Sequence, residues 1–514
     1  MVSSVFSLGL SGIEGYPVTI ECYLGGGHAV FDIVGLPDAT VRESRERVKA
    51  AARSCGCEFP GGHIVVNLAP ANTRKEGSLY DLPILLSVLR ANDAILPLPE
   101  RAAFIGELAL DGSLRPARGV LSMAACAAEF GIKTFFCPAA NAAEATLASP
   151  DLTVYALSSL DDLLGHLNHS KPLSPTPPWD GVTPRDDVAA PDFSDVRGQY
   201  VARLGMEIAA AGGHNILLIG PPGSGKSMLA SRIGTILPPL TRQEALEASK
   251  IHSVAGTLPA DAPLLSARPF RAPHHSISAA GLAGGGSIPH PGELSLAHNG
   301  VLFLDEMPEF STQSLEVLRQ PLETGSITIS RVAGTLTYPS RFMLVAAMNP
   351  CKCGWHGYGK CTCRPDSVRQ YNARISGPLL DRIDLQTSVP PVRFEDLHSS
   401  TPSESSAAIR QRVCAARERQ LHRYRGTPYT CNAHVPGTLL RRLTPLGDAQ
   451  LRFLSHAFER YQLTARAHDR LLRLARTLAD LEGAEEISIQ HLTLALQYRR
   501  GTAAADNNTP AVEA

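Results

Sequence analysis

One octapeptide, Gly220-Pro-Pro-Gly-Ser-Gly-Lys-Ser227, constrains the fold of this chain more than any other stretch, because of what flanks it. Asn215-Ile-Leu-Leu-Ile219 before it reads as a short buried strand, and Met228-Leu-Ala-Ser-Arg-Ile233 after it as the start of a helix. A strand that passes through a glycine loop into a helix aims several backbone N–H groups at one point, an arrangement suited to phosphate. Gly220, Gly223 and Gly225 keep side chains out of the way, and Pro221, Pro222 and Ser224 complete the loop. Lys226 supplies a point charge to β- and γ-phosphates, and the Ser227 hydroxyl can ligate Mg²⁺. A glycine turn that merely joined strand to helix would not require Lys-Ser at that place. ATP and Mg²⁺ are therefore the expected cofactors.

A partner for this loop follows downstream. Gly300-Val-Leu-Phe-Leu304 is too apolar for a solvent-facing strand and ends in Asp305-Glu306. Asp305 would hold the Mg²⁺ water shell, and Glu306 would polarise the attacking water as general base. A third apolar run, Phe342-Met-Leu-Val-Ala-Ala-Met348, ends in Asn349, whose amide could orient that water. Asn349-Pro350 could equally be a plain strand-ending turn.

The 514 residues suffice for more than one domain, and 44% hydrophobic with 19% charged content describes globular protein with ample core. No apolar run reaches the roughly 18 residues of a membrane span, and the N-terminus lacks a basic region followed by an apolar signal core, so a cytoplasmic location is expected. A formal net charge of −1 excludes a protein that coats DNA through overall charge, so nucleic-acid contact would need a local basic surface. The expected organisation is a first domain over 1–165, a proline-rich polar linker over 166–195, an ATPase core over 196–395, a largely helical segment over 396–500 and a disordered tail over 501–514. Within the helical segment, Ile409 to Arg425 is arginine-rich and reads as a solvated face or a DNA grip.

Of the eleven cysteines, four are grouped: Cys351-Lys-Cys353 and Cys361-Thr-Cys363, seven residues apart and directly after Asn349. Four thiolates in a glycine-rich loop can close a tetrahedral Zn²⁺ site, with His356 able to replace one sulfur. A redox pair or unliganded thiols also satisfy the spacing.

With Arg271-Ala-Pro-His-His-Ser-Ile-Ser278, Pro291-Gly-Glu-Leu-Ser-Leu-Ala-His-Asn-Gly300 and Ile375-Ser-Gly-Pro-Leu-Leu-Asp-Arg-Ile-Asp-Leu385, the chain resembles the magnesium-chelatase-like AAA+ ATPases of the YifB/ComM group over nearly its whole length. The resemblance implies an α/β protein: an AAA+ parallel-sheet core, a C-terminal helical lid and an N-terminal Lon-protease-like α/β domain. Asp305 and Glu306 become the Walker B pair and Asn349 the γ-phosphate sensor. Arg382 becomes an arginine finger acting in a neighbouring subunit's site, although a salt bridge to Asp381 or Asp384 is the plainer alternative. Arg466 resembles the sensor-2 arginine, with Arg470 and Arg473 as near competitors. A finger supplied by a neighbour implies a homo-oligomeric ring, a hexamer as in related proteins.

The resemblance also puts a helix-2 insertion at 267–287 and a hairpin at 323–340, both facing a central pore. Gly325-Ser-Ile-Thr-Ile-Ser-Arg331 alternates as a strand, and Ala333-Gly334 offers the turn. Arg331 near the tip, with Arg268, Arg271, His274 and His275 from the other insertion, are candidates for a DNA backbone, each with a purely structural alternative. In the first domain, Arg74 to Pro83 and Gly106 to Gly119 carry the Lon-like pattern, but Leu79 and Leu121 occupy the places of the nucleophilic serine and its lysine. Proteolysis is not expected unless Ser78 forms a shifted dyad. The group's association is with branch migration of joint DNA molecules during natural transformation. Two rivals remain: a motor subunit driving metal insertion through a partner, and a regulatory ATPase that only switches shape.

Overall fold

The computed structural model describes residues 1–179, 191–259, 261–286, 289–331, 334–397 and 403–499. Residues 180–190 of the expected linker, Ser287, Ala333 of the hairpin turn and the tail 501–514 lie outside them.

The N-terminal body contains β1 (Val2–Ser11), β2 (Glu14–Gly25), β3 (Val30–Val34), α1 (Ala39–Ser54), β4 (His63–Ala69), α2 (Asp81–Ala91), β5 (Ala102–Phe104), α3 (Val120–Glu129), β6 (Thr134–Pro138), β7 (Thr153–Leu157) and α4 (Leu160–Leu167). One sheet runs β1-β2-β4-β3 and a second, parallel sheet runs β5-β6-β7. Helix α2 is apolar almost all round, since Leu82, Ile84, Leu85, Leu86, Val88 and Leu89 are buried against β1 and β2.

The ATPase part contains α5 (Tyr200–Gly212), β8 (Ile216–Ile219), α6 (Lys226–Ile236), α7 (Arg242–Ala255), β9 (Phe270–Arg271), β10 (Val301–Leu304), α8 (Arg319–Thr324), β11 (Ser326–Arg331), β12 (Gly334–Pro339), β13 (Met343–Met348) and β14 (Leu385–Ser388). Its sheet has the order β9-β10-β13-β8-β14 and is parallel throughout. Such a sheet is covered on both faces, so its strands can be apolar at every residue. Ile216 and Leu218 of β8 face a core shared with α5, α6 and the C-terminal helices, whereas Leu217 faces a second core shared with the β11–β12 hairpin. Because β8, the first strand, lies between the last two, the carboxyl ends of β8 and β13 flank the crevice where ligands bind in open α/β sheets.

Among the described residues the C-terminal part contains α9 (Ser406–Arg423), α10 (Gly437–Leu443), α11 (Asp448–Tyr461), α12 (Ala465–Glu482) and α13 (Ile489–Arg499). Val413, Leu471, Leu478 and Leu492 enter the same core as β8. The arginines of α9 do not form one solvated face. Arg412 pairs with Glu207 and Glu404, Arg423 with Asp480, and Arg417 donates to the Ala210 carbonyl. This helix is anchored to α5 and α12 by its charges.

The expected linker needs correcting at both ends. Its start cuts α4, and the chain stays on the N-terminal body through Trp179: Thr176 N–H donates to Val154 O (2.8 Å), and Trp179 N–H to Thr146 Oγ1 (3.1 Å). At the far end Phe193 is fully buried in the ATPase core. Prolines make the segment look unstructured, but Leu173, Trp179 and Phe193 give it enough apolar surface to pack. The two bodies also touch each other. Leu121 packs with Ala245 and Leu264, Ser253 Oγ donates to Glu144 Oε2 (2.6 Å), and Ile13 of the β1–β2 turn reaches the core under the hairpin.

Candidate nucleotide site

The carboxyl ends of β8, β10 and β13 bring together Lys226, Ser227, Asp305, Glu306 and Asn349. In the loop after β8, Gly220 lies against Val389 so closely that a Cβ would overlap its carbonyl oxygen. Gly223 and Gly225 adopt φ of +74° and +93°, and a Cβ on either would meet nothing within 4 Å among the described residues. Tight packing on one side and open space on the other is the shape a phosphate group needs.

Lys226 Nζ donates to Gly220 O (2.8 Å), Pro221 O (2.9 Å) and Asn349 Oδ1 (3.1 Å). Burial pulls its ammonium below the usual lysine range. Ser227 Oγ donates to Asp305 Oδ2 (2.6 Å), an all-oxygen pair suited to a hard cation. Glu306 sits in the left-handed region (φ +51°), which turns its side chain out of the strand line to 3.8 Å from His275 Nδ1. The His275 ring in turn lies tilted by 36° against His274, at 4.0 Å between ring centroids.

Arg382 and Arg466 lie elsewhere. The Arg382 carbonyl accepts from Asn215 Nδ2 (2.9 Å), at the amino end of β8, and β14 runs parallel to β8 from Leu385 opposite Ile216. Four residues of strand, about 13 Å, separate that end from the phosphate loop. The Arg382 guanidinium donates to Pro378 O (2.7 Å) and pairs with Glu323 of α8, and its Nε is buried without a partner among the described residues. Asp381 and Asp384, the partners considered from sequence, are instead near Arg470. Arg382 and Arg466 line a cleft of about 580 Å³ with Arg341, Arg470 and Arg473, five arginines against Glu323, Asp384 and Asp469. Arg473 Nε is committed to Val435 O (2.7 Å), whereas Arg466 is exposed at the start of α12. Lys226 and Arg382 therefore stand at opposite ends of one sheet.

The candidates for DNA contact divide. Arg268 is turned inward: it donates to Pro238 O and Asn299 O (2.7 Å each) and pairs with Glu244 at 3.0 Å. Arg271 is held by both oxygens of Glu293 at 2.7 Å. The Arg268 guanidinium is spent on internal partners and has little left for a ligand, whereas the Arg271 side chain stays 34% exposed beside Glu293. His274 is exposed, bonded to Ser276 Oγ, while His275 faces Glu306. Arg331 ends β11 at the exposed tip of the hairpin, next to Gly285 of the other insertion, so the two insertions come together there.

In the N-terminal body, Ser78 Oγ is engaged by Glu107, and Lys75 by the carbonyls of Pro70 and Thr73. Serine and lysine are thus committed to different partners, and Leu121 is buried at the contact with α7.

Gln199 was missed from sequence. Its side chain donates to Ser224 O (3.1 Å) and Pro390 O (2.5 Å), tying the phosphate loop to the segment after β14, and its φ of +57° precedes α5. Beside it opens a cleft of about 450 Å³ bordered by Tyr200 and Leu204.

The four grouped cysteines also converge. Their sulfurs all lie within 4.8 Å of one another, with 3.3 Å between Cys351 and Cys353, 3.8 Å between Cys351 and Cys361 and 3.7 Å between Cys353 and Cys361. The backbone N–H groups of Trp355 and Thr362 point at Cys353 and hold its thiol down to about 6. His356 is not part of this group.

Fold and site together define a P-loop ATPase of the AAA+ class. Residues 192–397 match the family described as "Magnesium chelatase, subunit ChlI", 20–141 match "Subunit ChlI of Mg-chelatase" and 403–499 match "Magnesium chelatase, subunit ChlI C-terminal". The chain is 43% identical to YifB of Salmonella typhimurium over 95% of each chain, and 40% identical to the competence protein ComM of Haemophilus influenzae over 96% of this chain and 97% of that one. With the magnesium-chelatase 38 kDa subunit of Rhodobacter capsulatus the identity is 26%, over 60% of this chain and 87% of that one. The protein belongs to the YifB/ComM family of magnesium-chelatase-like ATPases.

Proposed function

We propose that this protein is a ring-forming ATPase that hydrolyses ATP at the seams between neighbouring protomers and uses the resulting movement to drive DNA branch migration during natural transformation. The observation that carries the reading is the separation of Lys226 and Arg382 to opposite ends of one sheet, with Arg382 anchored at Asn215. A single chain cannot complete its own site. In a closed ring, each arginine-lined cleft meets the next protomer's phosphate loop.

In this reading Lys226 exchanges its loop carbonyls for β- and γ-phosphate oxygens, and the base enters the cleft beside Tyr200. Ser227 and Asp305 would hold Mg²⁺, which neutralises phosphate charge when bound. Glu306 takes a proton from the attacking water at its carboxylate, Asn349 orients that water, and the neighbour's Arg382, with Arg466, meets the charge on the γ-phosphoryl oxygens. Arg331 and His274 face DNA from the pore. The N-terminal body is a Lon-like module without a working nucleophile, the C-terminal helices act as the lid, and the cysteine loop carries zinc.

A hexamer in the cytoplasm follows from the same family reading; among the described residues no helix is long and apolar enough to cross a membrane. Full-length identity to a competence protein supports DNA over metal insertion as the work performed. The test mixes two inactive variants, Lys226→Ala and Arg382→Ala. Random rings should regain activity at about a quarter of their seams, with stimulation by branched or single-stranded DNA. No recovery on mixing would remove the shared seam; recovery without any DNA response would remove the substrate.

A further inference from the structure

We propose that a soft divalent cation, Zn²⁺, held by Cys351, Cys353, Cys361 and Cys363 turns the loop after β13 into a fixed wall of the nucleotide pocket, with Gly354 the point at which that wall grips the phosphate loop. The inference rests on the zinc assignment above and adds what the metal is for.

A tetrahedral site with Zn–S bonds of about 2.3 Å spaces its sulfurs by about 3.8 Å. Three of the sulfur pairs already stand at 3.3 to 3.8 Å, and the fourth sulfur lies within 4.8 Å of the others. Cys351 is fully buried, and N–H groups of the loop itself face the sulfur of Cys353, as expected where a backbone wraps thiolates. Gly357 and Gly359 take positive φ with open space around them, and the neighbouring Trp355 is engaged by Lys360 from within the same loop.

What the loop touches gives the metal its role. The turn closes by Gly354 N–H donating to Cys351 O (2.9 Å), and Gly354, at φ +85°, rests on Pro222, where a Cβ would overlap Pro222 Cδ and crowd its Cγ. Tyr358 reaches Ser388 Oγ (3.2 Å) at the end of β14. Asn349, two residues before the first cysteine, accepts from Lys226. The sulfurs therefore fix one end of a short segment whose other end is the γ-phosphate sensor, and its side leans on the phosphate loop. Releasing them leaves Asn349 and Pro222 without a common support.

The experiment uses the full-length protein without DNA, which separates it from the DNA reading. Zinc per chain is measured, Co²⁺ is substituted to reveal thiolate coordination by its visible bands, and binding of a fluorescent ATP analogue is titrated. The parent should carry one zinc per chain. Cys361→Ser should lose the metal and bind the analogue several-fold more weakly. Gly354→Ala is the decisive variant: it should keep its zinc, which certifies the loop's fold, and still lose several-fold in affinity because Pro222 is displaced. Should Cys361→Ser fail to fold, chelation of the parent protein supplies the same arm. A parent free of zinc and unable to bind Co²⁺ through thiolates overturns the metal. Zinc present, with Gly354→Ala and the chelated protein binding nucleotide as the parent does, overturns the coupling while the metal stands.

Discussion

The two ends of the ATPase sheet hold their charges in different ways. At the carboxyl end, Lys226 rests on carbonyls of its own loop and Ser227 on Asp305, all supplied by strand termini. At the amino end, Arg382 is held by Glu323 from α8 and shares its cleft with Arg466, two long-range encounters between segments far apart in sequence. Each end carries an internal stand-in for an external anion: carbonyl and amide oxygens at one, a full carboxylate at the other. A neutral stand-in is displaced at little cost by a polyanion, whereas a carboxylate competes as a charge. In the proposed reading the carboxyl end is therefore ready for nucleotide, and the amino end is restrained until a neighbour's nucleotide displaces Glu323.

The largest effects test whether the ends are separable. Lys226→Ala should abolish detectable nucleotide binding and turnover together, because it empties the loop of its charge. Arg382→Ala should cut turnover about 10³-fold while the fluorescent analogue still binds, since the finger meets only the transferring phosphoryl. Loss of binding in both variants would mean the two ends do not divide the labour. Glu306→Gln belongs with the second class: its turnover should fall by about 10² to 10⁴ with analogue affinity unchanged.

The stand-in itself can be removed. Glu323 is partly exposed, and the guanidinium of Arg382 holds its carboxyl below the usual carboxylate range. An exposed pair of this kind contributes about 0.2 to 1 kcal/mol, so Glu323→Gln should raise steady-state ATPase at limiting protein by at most about fivefold. Because α8 leads directly into β11, whose tip carries Arg331, the same variant should weaken any response to DNA. A fall in basal turnover would show instead that Glu323 aims the arginine rather than restraining it.

The difference between the ends also accounts for what could be read in advance. The phosphate loop is local: eight residues, a strand before and a helix after, so its geometry follows from composition and order. Asp305 and Asn349 were legible for the same reason, since each ends an apolar strand. Arg268 was not, because what decides its orientation is Glu244 on α7 and two carbonyls, Pro238 and Asn299, brought in by folding. Gln199 was missed because a lone glutamine has no pattern; only the left-handed turn before α5 and the distant carbonyls of Ser224 and Pro390 give it a function. In the segment after α4 a count of prolines outweighed Trp179 and Phe193, and two well-placed aromatic side chains were enough to seat both ends of it. Charge was the least legible property throughout, because a net of −1 is compatible with a cleft holding five arginines and only three carboxylates.

The smallest expected effect concerns acid. Glu247 on α7 accepts from His298 (3.5 Å) and Asn299 (3.3 Å), and Gln243 donates to it at 3.0 Å. His298 Nδ1 accepts from Arg341 N–H (3.0 Å), which leaves Nε2 to donate and ties this cluster to the arginine end of the sheet. The bond from His298 is the main reason the Glu247 carboxyl is held down to about 2, against a model-peptide value of 4.5. A depressed carboxylate contributes stability that is fully present above the unfolded value and is lost as pH falls toward the folded one. The window therefore runs from about 4.5 down to about 2. With the Glu247 side chain 45% exposed, solvent screening reduces the contribution to about 1 kcal/mol. Glu247→Gln should lower stability by that amount at neutral pH, measured by denaturant unfolding, and the gap from the parent should close as the pH is brought below 4. If the gap persists unchanged at low pH, the loss comes from packing around α7 and not from charge.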